Sequence, residues 1–197
     1  MQLTTQDKGV LLLCARESIT SLLRGNPAPS MDFFHNYPNL ELNCGAFVTL
    51  SMDDHLRGCI GYITSEDTLF ETVCEAAKLA ATEDPRFYPV TETELSNILI
   101  EISVLSPLQL LDDYNNIVIG RDGLMLQEPD ARGVLLPQVA VEQKMNVSEF
   151  LSSLCRKAGL PANAWMKKKL NIFTFTAEVF GEQKHKELTL ERRTKQH

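Results

Sequence analysis

The sequence predicts an α+β fold, a mainly antiparallel sheet with helices packed against it. Three observations lead there. Ile98, Ile100, Ile102 and Val104 alternate with Asn97, Leu99, Glu101 and Ser103, the period-two pattern of a strand. Residues 44–52 carry the strand-like set Ala46, Phe47, Val48 and Leu50, then Asp53-Asp54 marks a turn into a second strand-like stretch, which together read as a hairpin. The helical segments fall between such strands without strict β-α-β alternation, which weighs against a doubly wound parallel sheet.

Taken in order, Thr4 followed by Asp7 is an N-terminal capping pair. It opens a helix whose apolar residues Val10, Leu11, Cys14, Ile19, Leu22 and Leu23 run to a stop near Gly25 and Pro27. A loop over 26–40 follows, rich in Asn and Pro and holding Phe33, Phe34 and Tyr37, aromatics that pin such a loop to a core. After the hairpin, Thr64 or Ser65 is expected to cap a helix reaching Thr82, with Leu69, Val73, Ala76, Ala77 and Ala80 at helical spacing. Thr91 with Glu94 is a second capping pair, and the alternating strand ends before Pro107. Residues 117–119 and 124–126 are expected to be short strands joined through Gly120-Arg121-Asp122-Gly123, and 133–136 another after a turn at 129–132. Pro137 suits the first turn of a short helix, and Asn146 with Glu149 caps the next, which runs to Gly159. Trp165 follows Pro161 in a short helical piece as a core anchor, and residues 171–180 form the last strand before a charged tail.

The chain of 197 residues suits one domain, or one core with two lobes, large enough to bury a sizeable interior. A net charge of −7 argues against non-specific nucleic-acid binding, which needs clustered positive charge, and the run Lys167-Lys168-Lys169 reads as solvated surface. No apolar stretch approaches the roughly 18 residues of a membrane span, and no secretory leader is visible. Five cysteines, at 14, 44, 59, 74 and 155, are widely spread without a C-x-x-C pair. They suggest free thiols in a reducing cytoplasm, and no four-ligand metal set can be named.

The stretch Leu56-Arg57-Gly58-Cys59-Ile60-Gly61 puts a cation, a thiol and two glycines inside six strand-like residues. Glycine within a strand marks a bulge or the close approach of another backbone or a ligand. A guanidinium there can fork onto carboxylate or phosphate, or activate a neighbouring thiol. A kinked core strand with a buried cysteine would look the same. His55 lies four residues from Cys59, about 13 Å along an extended strand, so a Cys–His pair within this strand is excluded, while His35 could approach only from its loop. The second informative segment is Asp84-Pro85-Arg86-Phe87-Tyr88-Pro89, whose two prolines fix the path of a loop. It reads either as a local Asp84–Arg86 ion pair with an aromatic plug or as a rigid arm aiming Arg86 into a cleft, within a water-bridged distance of Arg57 or Cys59.

With these residues in view, the chain resembles the AMMECR1 domain family. The resemblance rests on Leu56–Gly61, on Asp84-Pro85-Arg86-Phe87, on Gly123-Leu124, on Leu136-Pro137-Gln138-Val139-Ala140 with Glu142, and on Phe150-Leu151 through Cys155-Arg156-Lys157-Ala158-Gly159-Leu160. It covers nearly the whole chain as a single AMMECR1-like domain over 1–197, with a core of about 5–182 and a charged tail of 183–197. The resemblance implies a larger and a smaller subdomain with the six-residue motif near the cleft between them. It also implies a cytoplasmic protein linked to Memo-like and radical SAM proteins in an AmmeMemoRadiSam system, and it names no cofactor. The family often has His where this chain has Asp122, and Trp where it has Met145; the first departure puts His-dependent chemistry at that loop in doubt.

Two functions remain open. One is a binding or adaptor protein that takes an anionic small molecule or a partner protein through Arg57, Gly58, Gly61, Asp84, Arg86, Gln138 and Glu142. The other is an enzyme in which Cys59 is the nucleophile or redox thiol and Arg57 and Arg86 clamp an anion.

Overall fold

The computed structural model describes residues 2–30 and 37–182. Phe33, Phe34 and His35 lie outside the described residues. The sheet is antiparallel with several helices, as the alternation and hairpin signals require. The chain divides into two compact units, one built from residues 2–103 and closed by the chain's return at Val179, the other from Val104 to Glu178.

In the larger unit, helix α1 (Thr5–Arg24) opens with the expected box. The Thr4 hydroxyl accepts from the Asp7 N–H, and the Asp7 carboxylate accepts from the Thr4 N–H. Asp7 is buried and also takes a hydrogen bond from the Asn39 side-chain amide at 2.8 Å, so the cap fastens the helix start to the turn after Tyr37. Leu11, Cys14, Ala15 and Ile19 form its buried stripe, and Gly25 ends it in the left-handed conformation that glycine tolerates.

Strands β1 (Ala46–Met52) and β2 (His55–Tyr62) form the hairpin. Asp53 and Asp54 both have positive φ, the demand of a two-residue turn whose twist matches its strands. A bulge between Leu50 and Ser51 shifts the pairing by one, so that Gly58 faces Leu50, Cys59 faces Thr49 and Gly61 faces Phe47. β1 lies between β2 and β3 (Ile98–Leu105), which leaves β2 at the edge.

Helix α2 (Leu69–Thr82) starts later than the sequence suggests. Its cap is Thr68, whose hydroxyl accepts from the Glu71 N–H while the Glu71 carboxylate accepts from the Thr68 N–H. Ser65 instead accepts from the Asp67 N–H and the Thr72 hydroxyl, holding the approach as turns. The alanines of α2 permit very close packing on β2: a Cβ at Gly58 would stand 2.1 Å from the Ala80 carbonyl oxygen. Arg16 of α1 donates to the carbonyls of Leu95 and Ile98 and pairs with Glu182, which in turn accepts from the Ile100 N–H.

In the smaller unit, β5 (Asp122–Glu128) lies between β6 (Ala131–Leu135) and β7 (Ile172–Gly181), antiparallel to both, and β4 (Gln109–Leu110) adds to β7. Helices α3 (Pro137–Glu142), α4 (Val147–Lys157) and α5 (Ala164–Lys167) follow their predicted caps and turns. Phe150, Leu151, Leu154 and Cys155 of α4 are buried with Leu124, Leu126 and Ile172 of the sheet. Trp165 packs partly buried against this core, its indole N–H donating to Ser152 and its ring edge-on to Tyr114.

Two expectations fail here. Residues 117–119 are not a strand, because a preceding 3-10 turn and the Asp122 carboxylate claim their backbone N–H groups. Asp113 accepts from the Asn115 N–H and starts a 3-10 turn, the Asp122 carboxylate takes the Val118 N–H, and the Val118 carbonyl accepts from Arg121 and Asp122. β6 also begins two residues early, since the turn needs only Pro129-Asp130 and Glu128 already pairs with Ala131.

The contact between β2 and α2 makes a direct prediction. Gly58→Ala should destabilise the chain by about 1–3 kcal/mol, because a backbone carbonyl blocks the new methyl group. Gly9→Ala, on an exposed part of α1 with no atom within 4 Å of the added Cβ, should stabilise it by about 0.5–1 kcal/mol. Thermal melts of the two variants check both signs.

Candidate functional site

The larger unit brings Arg57, Gly58, Cys59 and Gly61 of β2 together with Asp84 and Arg86 of the proline loop. The junction is polar and highly ordered by hydrogen bonds. The N–H of Cys59 points away from β1 and donates to Asp84 Oδ2 at 2.8 Å. The same carboxylate receives the Arg86 backbone N–H and a two-pronged bond from Arg86 Nε and Nη2 at 2.9 and 2.6 Å. Arg86 Nη2 also reaches the Cys59 carbonyl at 3.4 Å, so side chains of one loop occupy both backbone groups of Cys59. The local Asp84–Arg86 ion pair and the nearness of Arg86 to Cys59 are therefore both present. Arg86 holds the Asp84 carboxyl well below the usual range, against the opposing effect of burial, with the two backbone N–H donors adding to the same direction.

Arg57 has a different partner. Its Nε and Nη2 fork onto Glu94 at 2.8 and 3.2 Å, and Nη1 and Nη2 donate to the carbonyls of Tyr88 and Pro89 at 2.8 and 3.3 Å. Only 15% of its side chain is exposed, against 54% for Arg86. Arg57 is thus a fastener between β2, the proline loop and the turn at Glu94. Arg86 is the cation that faces outward, with its Nη1 making no hydrogen bond among the described residues. The Arg57 fork brings the Glu94 carboxyl down to about 2, with burial opposing and the Thr91 N–H and hydroxyl assisting.

Glu94 is the residue that sequence reasoning missed. It completes the Thr91 box as expected, but no local pattern ties it to an arginine 37 positions earlier. Thr49 is the other. Its hydroxyl donates to Cys59 Sγ at 3.2 Å across the hairpin, a neighbour that only the bulged register creates. Cys59 is half-buried, whereas Cys14, Cys44, Cys74 and Cys155 are buried. Burial pushes the Cys14 thiol up to about 12, with charges at Cys74 and Glu17 adding to it. His55 sits at the start of β2 with its Nδ1 2.7 Å from the Asp53 carbonyl, and has no part in the Cys59 environment.

The glycines have separate tasks. Gly58 admits α2, and Gly61 admits β1, where a Cβ would meet the Ala46 carbonyl at 2.3 Å and the Phe47 ring at 2.6 Å. The loop that these contacts carry ends in Tyr88, which is 91% exposed, while Leu56 on the neighbouring strand is 43% exposed. Gln138 and Glu142 belong to the smaller unit, where they lie on α3, half-buried and exposed respectively. Asp122 is there too, at the start of β5, buried and gripped by Arg121 in an ion pair. Among the described residues no three His, Cys, Asp or Glu side chains converge to hold a metal, and no helix is long and apolar enough to cross a membrane.

Comparison with known proteins agrees with this architecture. The AMMECR1 family model matches residues 12–180. Protein MJ0810 of Methanocaldococcus jannaschii is 40% identical over 192 residues, covering 92% of this chain and 94% of that one. A protein of Methanococcus aeolicus is 44% identical over 146 residues, 70% of this chain and 73% of its own length. The crystal structure of uncharacterized protein PH0010 from Pyrococcus horikoshii superposes with a TM-score of 0.81 at 37% identity, over 88% of this chain and 90% of that one. Family model, relatives and solved structure converge, and the chain belongs to the AMMECR1 family.

Proposed function

We propose that the surface around Leu56–Gly61 is a protein-binding module, and that its partners are the Memo-like and radical SAM proteins to which the family resemblance links it. The observation that carries this is the use made of the motif's own polar groups. Arg57 is fully engaged in holding residues 84–89, Asp84 clasps the edge of β2, and the product is a rigid loop with Tyr88 standing in solvent. A small-molecule site is concave and keeps its polar groups aimed inward. A projecting tyrosine two residues from an exposed arginine is the composition of an interface anchor. Loop rigidity lowers the entropy cost of binding, which gives the internal network a purpose beyond stability.

A second reading, chemistry at the thiol, is favoured by one observation: Cys59 alone among the five cysteines is not buried, and Thr49 donates to its sulfur. The two readings part at the level of single variants. Tyr88→Ala should lower affinity for a purified Memo-like or radical SAM partner by about tenfold or more, a loss of at least about 1.4 kcal/mol, in a titration of the full chain. Cys59→Ala should bind as well as the unaltered chain. Unchanged binding by Tyr88→Ala, or its loss in Cys59→Ala with an intact fold, would transfer the function to the thiol.

The loop's anchoring also predicts a pH dependence. Glu94 and Asp84 both titrate lower in the folded chain than in the unfolded one, so their stabilisation is complete above about pH 4.5 and declines as pH falls toward 2. Amide hydrogen exchange at residues 86–88 should therefore lose protection in that window, and Glu94→Gln should remove much of the dependence at the Arg57 side of the loop. Protection that stays constant from pH 5 to about 2.5 would show that the carboxylates do not hold it.

A further inference from the structure

The smaller unit contains a cavity of about 390 Å³ that is unrelated to the cysteine motif. Its wall is formed where β4, β5 and β7 meet, by Ser106, Gln109, Arg121, Asp122, Thr174 and Thr176, with Phe175 alongside. The volume falls in the range of small-ligand pockets. The polar groups are not equivalent. The Thr174 hydroxyl bonds to the Gln109 carbonyl at 3.4 Å, and Ser106 Oγ accepts from the Thr176 N–H while donating to Pro107. The Gln109 carboxamide and the Thr176 hydroxyl make no hydrogen bond among the described residues, although both line the cavity.

Arg121 supplies the charge. Its Nε and Nη2 fork onto the two oxygens of Asp122 at 2.7 and 2.8 Å, and Asp122 Oδ2 also takes the Val118 N–H. Both carboxylate oxygens are thereby occupied, and the Asp122 side chain is only 5% exposed. Burial would raise the Asp122 carboxyl, but the Arg121 fork and the Val118 N–H hold it below its ordinary range, so it stays ionised. A guanidinium has a second bidentate edge, made by Nη1 and Nη2. In Arg121 that end-on edge is unengaged among the described residues. The buried aspartate fixes the plane of the guanidinium and leaves this edge free on a residue that lines the cavity, an arrangement suited to an incoming carboxylate.

We propose that this cavity is a binding site for a small hydroxycarboxylate. The carboxylate lies on the end-on edge of Arg121, and the hydroxyl group bonds with the Thr176 hydroxyl and the Gln109 carboxamide. Asp122 is a positioning residue that acts through Arg121. The site is independent of the surface around Leu56–Gly61, so it stands or falls separately from the proposed protein-binding role.

The test uses L-malate as the probe, with succinate as the analogue lacking the hydroxyl and inorganic phosphate as the competing anion. In ¹⁵N spectra of the full chain, L-malate should shift the Arg121 Nε–H and the backbone amides of Gln109 and Thr176 saturably, with a midpoint at or below about 10 mM. Succinate should bind more weakly. Arg121→Lys, which loses the fork, should weaken L-malate by about tenfold. Thr176→Val leaves the Arg121–Asp122 pair untouched, so its weakening by about threefold or more keeps the test decisive even if Arg121→Lys perturbs the fold. The proposal is overturned by an absence of saturable shifts, by unchanged affinity in Thr176→Val, or by phosphate displacing L-malate at equal concentration.

Discussion

The organisation of the larger unit depends on one buried carboxylate. Asp84 lies just past the C-terminus of α2 and accepts from the Cys59 amide and from both the backbone amide and the guanidinium of Arg86. Its side chain is 2% exposed, so an unpaired charge there would be costly, and each of its donors is fixed in place by that cost. Remove this carboxylate and the proline loop loses its attachment at Cys59. Arg57 would then hold the far end of the loop alone, and Tyr88 would no longer stand on a defined base. The two arginines and two carboxylates form a neutral set, which explains why a motif containing a cation does not by itself create a positive patch.

Much of the fold was legible because its signals are local. Capping pairs at Thr4, Thr91 and Asn146, the aspartate turn, and the alternation through Ile98–Val104 are each written within a few residues. Residues 117–119 have strand-like composition, but the Tyr114 carbonyl takes the Ile117 N–H and the Asp122 carboxylate takes the Val118 N–H, both from outside the window. Thr68 caps α2 with Glu71, whereas Thr64 carries Asp67 at the same spacing, so local pattern alone does not rank the two.

The site was legible only as a location. Sequence places Arg57, Cys59, Asp84 and Arg86 on two segments worth joining, and the structure does join them. The assignment of partners was beyond sequence, because it turns on the bulge at Leu50/Ser51. Without that bulge the two-residue turn would set Thr49 opposite Gly58 and exchange the faces of β2. The glycines would then meet no close backbone, and the arginine would leave Glu94. One extra residue in β2, Arg57 itself, therefore decides which groups of the motif meet which neighbours.

β2 is an edge strand, and an edge strand carries unpaired amides that invite another chain to add to the sheet. Here the outward N–H and carbonyl of Cys59 are already occupied by a carboxylate and a guanidinium from the same molecule. The side chains of Asp84 and Arg86 imitate the hydrogen bonds of a neighbouring strand while presenting charge where that strand would lie. The same pair that steadies the loop thus guards the sheet against polymerisation, and a chain stripped of it would expose a ready template for self-association.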